Sequence, residues 1–538
     1  MGDYIRKVCS EILGKYGDFM KAVKFFSIVF FSAVVMTGFA TPVQELNRLL
    51  QENYKNASLA PVKQVSDALF LRRVMIDVTG KVPTIAQIKD FAANKDKDKR
   101  LTLIKQLLDS PAFADMMAMR FADMFRIKSE FPINLWPNAV QSYHRYFRDA
   151  VIQNRPWDKI ARELLTSSGS NFRVPAANFF RASAVRTPEG LAKVTALSFM
   201  GIRTEKLDDS ARRDFAAFFS RISFKSTDEW KEEIVFLNPE PAELTAVTPN
   251  GRSFKINSPE TDPRQVFADW LLERNNPFFA KAFVNRSWHW FFGSGLIDPA
   301  DDMPLPPTFW SRLFSFESKN GNEKVLDFLA NEFVKNNYDI KKLFCLILSS
   351  CAYHADWKTL PLEQAQAEKI FAVYPFRRLE AEVLVDIYSQ ILGAHESYSS
   401  VIPEPFTFLP QNAPAVTIAD GSISSRTLDN FGKPSRDAGT LAERNNTMTP
   451  SQRLFLLNSN WIYQRTNTLP WRVFPKRRMT DAQRVERLYL VILSRKPTAG
   501  EIKKVEAYQK KLPRKERWRT WTDLAWALIN TREFLHHH

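Results

Sequence analysis

In NNPFFAKAFVNRSWHWFFGSGLIDPADDMPLPP, residues 275–307, an amide, a guanidinium, an indole and an imidazole (Asn285, Arg286, Trp288, His289) share a helical stretch ending at Gly293. Three carboxylates, Asp298, Asp301 and Asp302, follow in a proline-rich loop. Arg286 can pair with one of them and fix the loop against the helix, or the carboxylates can gather a cation; the run lacks EF-hand spacing, which favours the ion pair. A second cluster, Arg377, Arg378 and Glu380 in YPFRRLEAE, repeats the theme. Used catalytically, such groups would form a hydrolytic site acting on polysaccharide, with one carboxyl as acid and another as base or nucleophile at a separation that sequence does not fix. No catalytic or metal-ligating residue is assigned from the sequence, and both clusters stand as ligand-facing or structural polar groups.

Other chemistries are excluded by what is missing. The chain has no nucleophile-elbow G-x-S-x-G, no phosphate-binding P-loop and no H-E-x-x-H. His144, His289, His354 and His395 are scattered singly, and His536, His537 and His538 read as a frayed end able to take up metal only adventitiously. Cys345 and Cys351, six residues apart on one expected helix, are too distant for a bridge and read as buried thiols.

The 538 residues, 45% hydrophobic and 13% aromatic, suffice for at least two ordinary cores. The net charge is +16; residues 1–40 hold five basic and three acidic groups, so +14 belongs to the rest. That surplus can attract phosphate, sulfated glycan or anionic lipid, but with no nucleic-acid motif and no Lys/Arg run of five the favoured reading is dispersed solvating charge. Met20, Lys21 and Lys24 precede the uncharged apolar stretch Phe25–Phe39, with Gly38 and Ala40 as small residues at a cleavage site. This reads as a secretory signal peptide with translation starting at Met20, so a periplasmic or secreted protein is expected, touching a membrane only if that segment stays uncleaved.

Most of the chain reads as short capped helices. Ser110-Pro111, Asn138 with Gln141, Thr187-Pro188 and Asp339 are expected starts, and Gly201 and Gly393 expected stops. KEEIVFL, TAVT and RSFKIN read as short strands, the last two around Pro-Asn-Gly. The expected fold is mainly α: upstream residues and signal segment over 1–40, a helical domain over 41–230, a β-rich connector over 231–262, and a second helical domain over 263–538 with an irregular insert near 394–450. Thr84/Gln87 and Thr498/Glu501 sit in two similar helix-turn-helix patterns, for which convergent capping chemistry is favoured over a shared unit.

FLRRVMIDVTGKVPT, LLDSPAFADMMAMRFADMFR and NRPWDKIARELL in the first half, with DPRQVFADWLLERNNPFFAKAFVNRSWHWFFGSGLIDPADDM, FRRLEAEVLVDIYSQILG and RTLDNFGKPSRDAGTLAERNNTMTPSQRLFLLNS in the second, resemble a large family of secreted planctomycete proteins. These join a cytochrome-associated (PSCyt2-like) domain to a PSD1-like companion, both of unknown function. Where many relatives carry C-x-x-C-H and His-Pro, a c-type haem attachment pattern, this chain runs from Gly201-Ile202-Arg203 into TEKLDDSARRDFAAFF. Where relatives have Cys-x-Cys-Glu-Arg, it reads GTLAERNN, keeping Glu443 and Arg444, which join the second polar cluster.

Without those thiols and the imidazole, covalent haem is not expected and no other cofactor is implied. The resemblance thus implies a haem-free helical scaffold or binding protein beside a sulfatase-like secreted partner, and the basic surplus with thirteen Trp would suit binding of an anionic polysaccharide. A polysaccharide hydrolase is the alternative, and electron transfer is disfavoured.

Overall fold

A computed structural model describes residues 40–59, 63–305, 320–357, 364–475 and 479–537. The expected signal segment over Phe25–Phe39 and the start at Met20 lie outside the described residues. Among the described residues, no helix is long and apolar enough to cross a membrane. The chain divides into Met1–Glu45 and a compact unit, Leu46–His538.

The compact unit is mainly α-helical, with short antiparallel strands. Its helix starts follow side-chain chemistry. Ser110 accepts the Phe113 N–H ahead of Pro111–Met124, and Asp339 accepts the Lys342 N–H ahead of Ile340–Leu348. Thr84/Gln87 and Thr498/Glu501 both close reciprocal capping boxes.

Two helices differ from the sequence reading. The one expected from Asn138 runs Pro137–Ile152, because Pro137 fits the first turn while Trp136 turns the chain at φ +69°. The expected single cysteine helix stops at Leu348; Ser350 then accepts the Tyr353 N–H and starts a separate turn, Cys351–His354. Both thiols are free, and burial pushes Cys351 up to about 11.

Strands β1 (Gly169–Ser170), β2 (Ile222–Ser226) and β3 (Glu233–Leu237) form a sheet in the order β1-β3-β2. Strands β4 (Leu244–Val247) and β5 (Ser253–Ile256) form a hairpin with Ala246 opposite Phe254, turning at Gly251. The β-rich stretch therefore begins before residue 231, since Ile222–Ser226 is the partner that pairs with Glu233–Leu237 of KEEIVFL. Strand β6 (Arg377–Arg378) pairs with β7 (His536–His537). His536 and His537 are thus not frayed, while His538 lies outside the described residues: the His536 ring stacks on Phe376 with centroids 4.5 Å apart, and His536 and His537 are both buried.

The two halves share their interior. Trp157 stacks on Phe121 at 5.6 Å and on Phe283 at 4.5 Å, joining helix Pro111–Met124 to helix Phe279–Phe292. Met116 and Met119 pack into a cluster with Leu384, Ile387, Leu428 and Leu488. Arg72, itself buried, donates to the Ile492 carbonyl at 3.0 Å and the Ser494 hydroxyl at 3.2 Å, so an early helix holds the end of a late one. Truncating a ring such as Trp157 to Ala would cost about 3–5 kcal/mol.

On helix Ala381–Leu392, the Asp386 carboxylate accepts the N–H groups of Ala415 at 2.6 Å and Val416 at 3.1 Å, anchoring the irregular segment to that helix. Burial pushes Asp386 up to about 7, against the lowering effect of the two N–H groups. An acid whose folded pKa exceeds its unfolded value of about 3.9 contributes stability that is present below pH ~4 and lost as pH rises through about 7, at most about 4 kcal/mol. We expect urea midpoints of the wild type to fall between pH 5 and 8 relative to Asp386→Asn. Parallel pH profiles for the two proteins would show that the carboxyl is not strained.

Candidate functional site

Helix Phe279–Phe292 ends at Gly293, which adopts φ +79°. A Cβ there would come 3.0 Å from Arg377 Cδ, so the glycine lets β6 approach the helix end. The following loop is stapled back by Asn285, whose Nδ2 donates to the Ile297 carbonyl at 2.7 Å while its Oδ1 accepts the Ile297 N–H at 3.1 Å. Asp298 Oδ1 accepts the Gly295 N–H at 3.2 Å. Gly201, at φ +63°, accepts the Met303 N–H on its carbonyl at 2.8 Å and brings the charged segment 203–206 against the same loop.

A cleft of about 800 Å³ opens where these elements meet. Seven arginines line it (Arg120, Arg203, Arg286, Arg377, Arg378, Arg444, Arg532) against four carboxylates, Asp123, Asp298, Asp301 and Glu380, with His289 and His536 between them. Two of the guanidiniums are held by backbone carbonyls rather than by carboxylates. Arg378 donates to the carbonyls of Phe431 at 2.6 Å, Asn445 at 2.7 Å and Leu379 at 3.1 Å, and Arg286 donates to the Leu197 carbonyl at 3.3 Å. Arg120 is 5% exposed; its Nη2 lies 3.9 Å from Glu380, and Nε and Nη1 have no hydrogen-bond partner among the described residues. Burial, then the Arg286 and Arg377 charges, lower His289 to about 4, so its imidazole is neutral at pH 7.

The carboxylates are engaged. Asp301, buried, accepts the Leu441 N–H at 2.8 Å and faces Arg203 at 3.7 Å. Asp302 pairs with Lys206 at 2.7 Å and lies 3.9 Å from Arg203. The expected ion pair between helix and loop therefore forms with other cations: Arg203 and Lys206, from the charged segment, take the place read for Arg286, whose guanidinium turns to the Leu197 carbonyl. Glu443 accepts N–H groups of Asp437, Ala438 and Gly439 at 2.8–3.0 Å and shapes the loop that forms one wall. Arg444 bridges Glu382 at 2.6 Å and Asp123 at 2.6 Å, and Arg436 holds Asp123 from its other side at 2.8 Å.

The two polar clusters read from the sequence thus meet at one place. Arg286, His289, Asp298, Asp301, Arg377, Arg378, Glu380 and Arg444 line the cleft, and Asn285, Asp302 and Glu443 hold its walls. Trp288 stands apart: it is buried and stacked on Phe292 at 4.3 Å. Sequence reasoning missed Arg120, Asp123, Arg203, Arg532 and His536. A lone Arg in the apolar run MMAMRFADMF was the available signal for Arg120, since a cation on a buried helix face requires partners from elsewhere. Among the described residues no group of three or more His, Cys, Asp or Glu side chains could hold a metal ion.

A mainly helical chain in which a PSCyt2 region precedes a PSD1 region has the two-domain arrangement of that class, and this chain belongs to it. Residues 45–220 match the PSCyt2 family, described as a protein of unknown function (DUF1549), and residues 263–509 match PSD1, described as a protein of unknown function (DUF1553). Neither curated proteins nor solved structures gave a match.

Burial alone would raise Glu382, but Arg444 brings it down to about 2. Arg444→Met would leave Glu382 and Asp123 without their shared cation at a cost of about 3–5 kcal/mol, measurable by chemical denaturation. Arg444→Lys should recover only part of this, because an ammonium cannot bridge both carboxylates as a planar guanidinium does.

Proposed function

We propose that this chain is an extracytoplasmic binding protein whose arginine-lined cleft takes a carboxylated or sulfated saccharide. The observation that carries the reading is the cleft's charge: seven arginines against four lining carboxylates, with Arg378 and Arg286 held by carbonyl oxygens, which take up donors and leave the positive charge in place. Arg120 adds unpartnered donors at a buried wall. A sulfatase-like secreted partner belongs to the same reading, as an enzyme acting on the same class of anionic glycan.

Binding is favoured over hydrolysis because the carboxylates are committed. Asp301 is held by Leu441 and Arg203, Glu380 faces Arg120, and Asp123 is shared by Arg436 and Arg444. A glycosidase pair needs one carboxyl able to give a proton and another able to attack or activate water. The reading includes no covalent haem. Residues 198–219 contain neither Cys nor His, and Cys351 sits beside Tyr54. The residues present do not fit that group, so we expect purified protein to show no Soret band.

Binding is expected to carboxylated or sulfated oligosaccharides at low ionic strength, weakening as salt rises from about 20 to about 300 mM. Arg203→Ala and Arg532→Ala, both at the accessible rim, should each weaken it about tenfold, as loss of one charge-assisted hydrogen bond would. Titration calorimetry checks both, and equal affinity for neutral oligosaccharides would overturn the reading.

A further inference from the structure

Away from the cleft, three loop tips from distant parts of the sequence bring aromatic rings together at the surface. Trp136 precedes helix Pro137–Ile152, Trp230 lies in the turn between β2 and β3, and Phe406 lies in the irregular segment. The ring centroids are 4.6 Å apart for Trp136 and Trp230, 5.6 Å for Trp136 and Phe406, and 5.2 Å for Trp230 and Phe406. Trp230 is 59% exposed and Phe406 42%. The Lys231 ammonium stands 5.9 Å from both indoles and makes no ion pair among the described residues. Trp136 and Lys231 both adopt positive φ, +69° and +64°, a conformation that disfavours side chains of this size.

A cluster built only to pin loops would hide its rings; this one leaves large faces in water. Its composition selects the occupant. The rings are aromatic, offering flat apolar faces with polar edges. Beside them stand Lys231 and the exposed carboxylates of Asp228 and Glu229. Carboxylates accept hydrogen bonds from hydroxyls, which a sugar ring supplies.

The patch is also joined to the cleft. The Trp136 N–H donates to the Ser129 carbonyl at 3.3 Å. One residue earlier, Lys128 pairs with Asp437 at 2.6 Å, and Asp437 precedes by two residues Gly439, which lines the cleft. The loop that carries Trp136 is therefore anchored to the cleft's own wall.

We propose that Trp136, Trp230 and Phe406, with Lys231, form a sugar-stacking subsite that receives a further stretch of the anionic polysaccharide whose charged residues enter the cleft. The proposal rests on the saccharide reading above and makes the ligand a polymer long enough to reach both places.

Affinity electrophoresis through gels holding polygalacturonate, dextran or an oligodeoxythymidylate tests it with wild type, Trp230→Ala, Phe406→Ala and Arg203→Ala. Both aromatic side chains are exposed enough to remove without unfolding, which circular dichroism verifies. Retardation by polygalacturonate should weaken about tenfold in Trp230→Ala and Phe406→Ala, while calorimetric binding of a short galacturonate oligomer stays at the wild-type value. Loss in Arg203→Ala with none in the aromatic variants overturns the subsite and leaves the cleft reading intact. Loss only in the aromatic variants upholds the subsite and overturns the cleft. Trp230-dependent retardation by the oligodeoxythymidylate equal to that by polygalacturonate overturns the saccharide assignment.

Discussion

One buried carboxylate organises the molecule. Asp77, its side chain fully shielded from water, accepts hydrogen bonds from Arg377 at 2.7 Å, from the Tyr353 hydroxyl at 2.7 Å and from the Tyr374 hydroxyl at 3.1 Å, with His537 Nδ1 at 3.2 Å. Burial pushes its carboxyl up, and Arg377 and the hydroxyls work against that rise. A charge so placed is tolerable only when all its partners are present. Asp77 itself lies on helix Asp67–Thr79, and its partners come from the turn Cys351–His354, from strand β6 and its approach, and from strand β7. Arg377 also donates to the carbonyls of Trp290 and Phe291, so the helix that supplies His289 is tied to the same point. The cleft's position is thus fixed by a solvation requirement beneath it.

Much of the fold was readable because it was local. Ser110, Thr84, Asp339 and Thr498 cap helices through atoms three residues away, and no tertiary information is needed to see them. What failed depended on partners distant in sequence. Strand β2 is short and gained its identity only from lying opposite β3, and the His536–His537 strand from meeting Arg377–Arg378. Ser350 was a local signal passed over, because the apolar spacing of Phe344, Ile347 and Leu348 ran on smoothly toward Cys351.

The site divides in the same way. Residue types announced two polar clusters, at 285–302 and 377–380, and GTLAERNN supplied Glu443 and Arg444. Their convergence was invisible, since it is made by Gly293 admitting Arg377 and by Asp301 capturing the Leu441 N–H. The charged run at 203–209 acquires a structural meaning here: Arg203 and Lys206 answer Asp301 and Asp302, and Lys193 pairs with Glu205. A segment dense in unlike charges sits where it can neutralise the loop beside it.

The pairing of β6 with His536–His537 bears on how the molecule is made. Until residue 537 has left the ribosome, Arg377 and Arg378 have an open strand edge and Asp77 lacks its imidazole neighbour. The cleft wall at Arg377 and Arg378 is therefore completed only once β7 has emerged, although helices that frame it emerge hundreds of residues earlier. A nascent chain that has not yet presented β7 would hold the framing helices and an unfinished cleft wall.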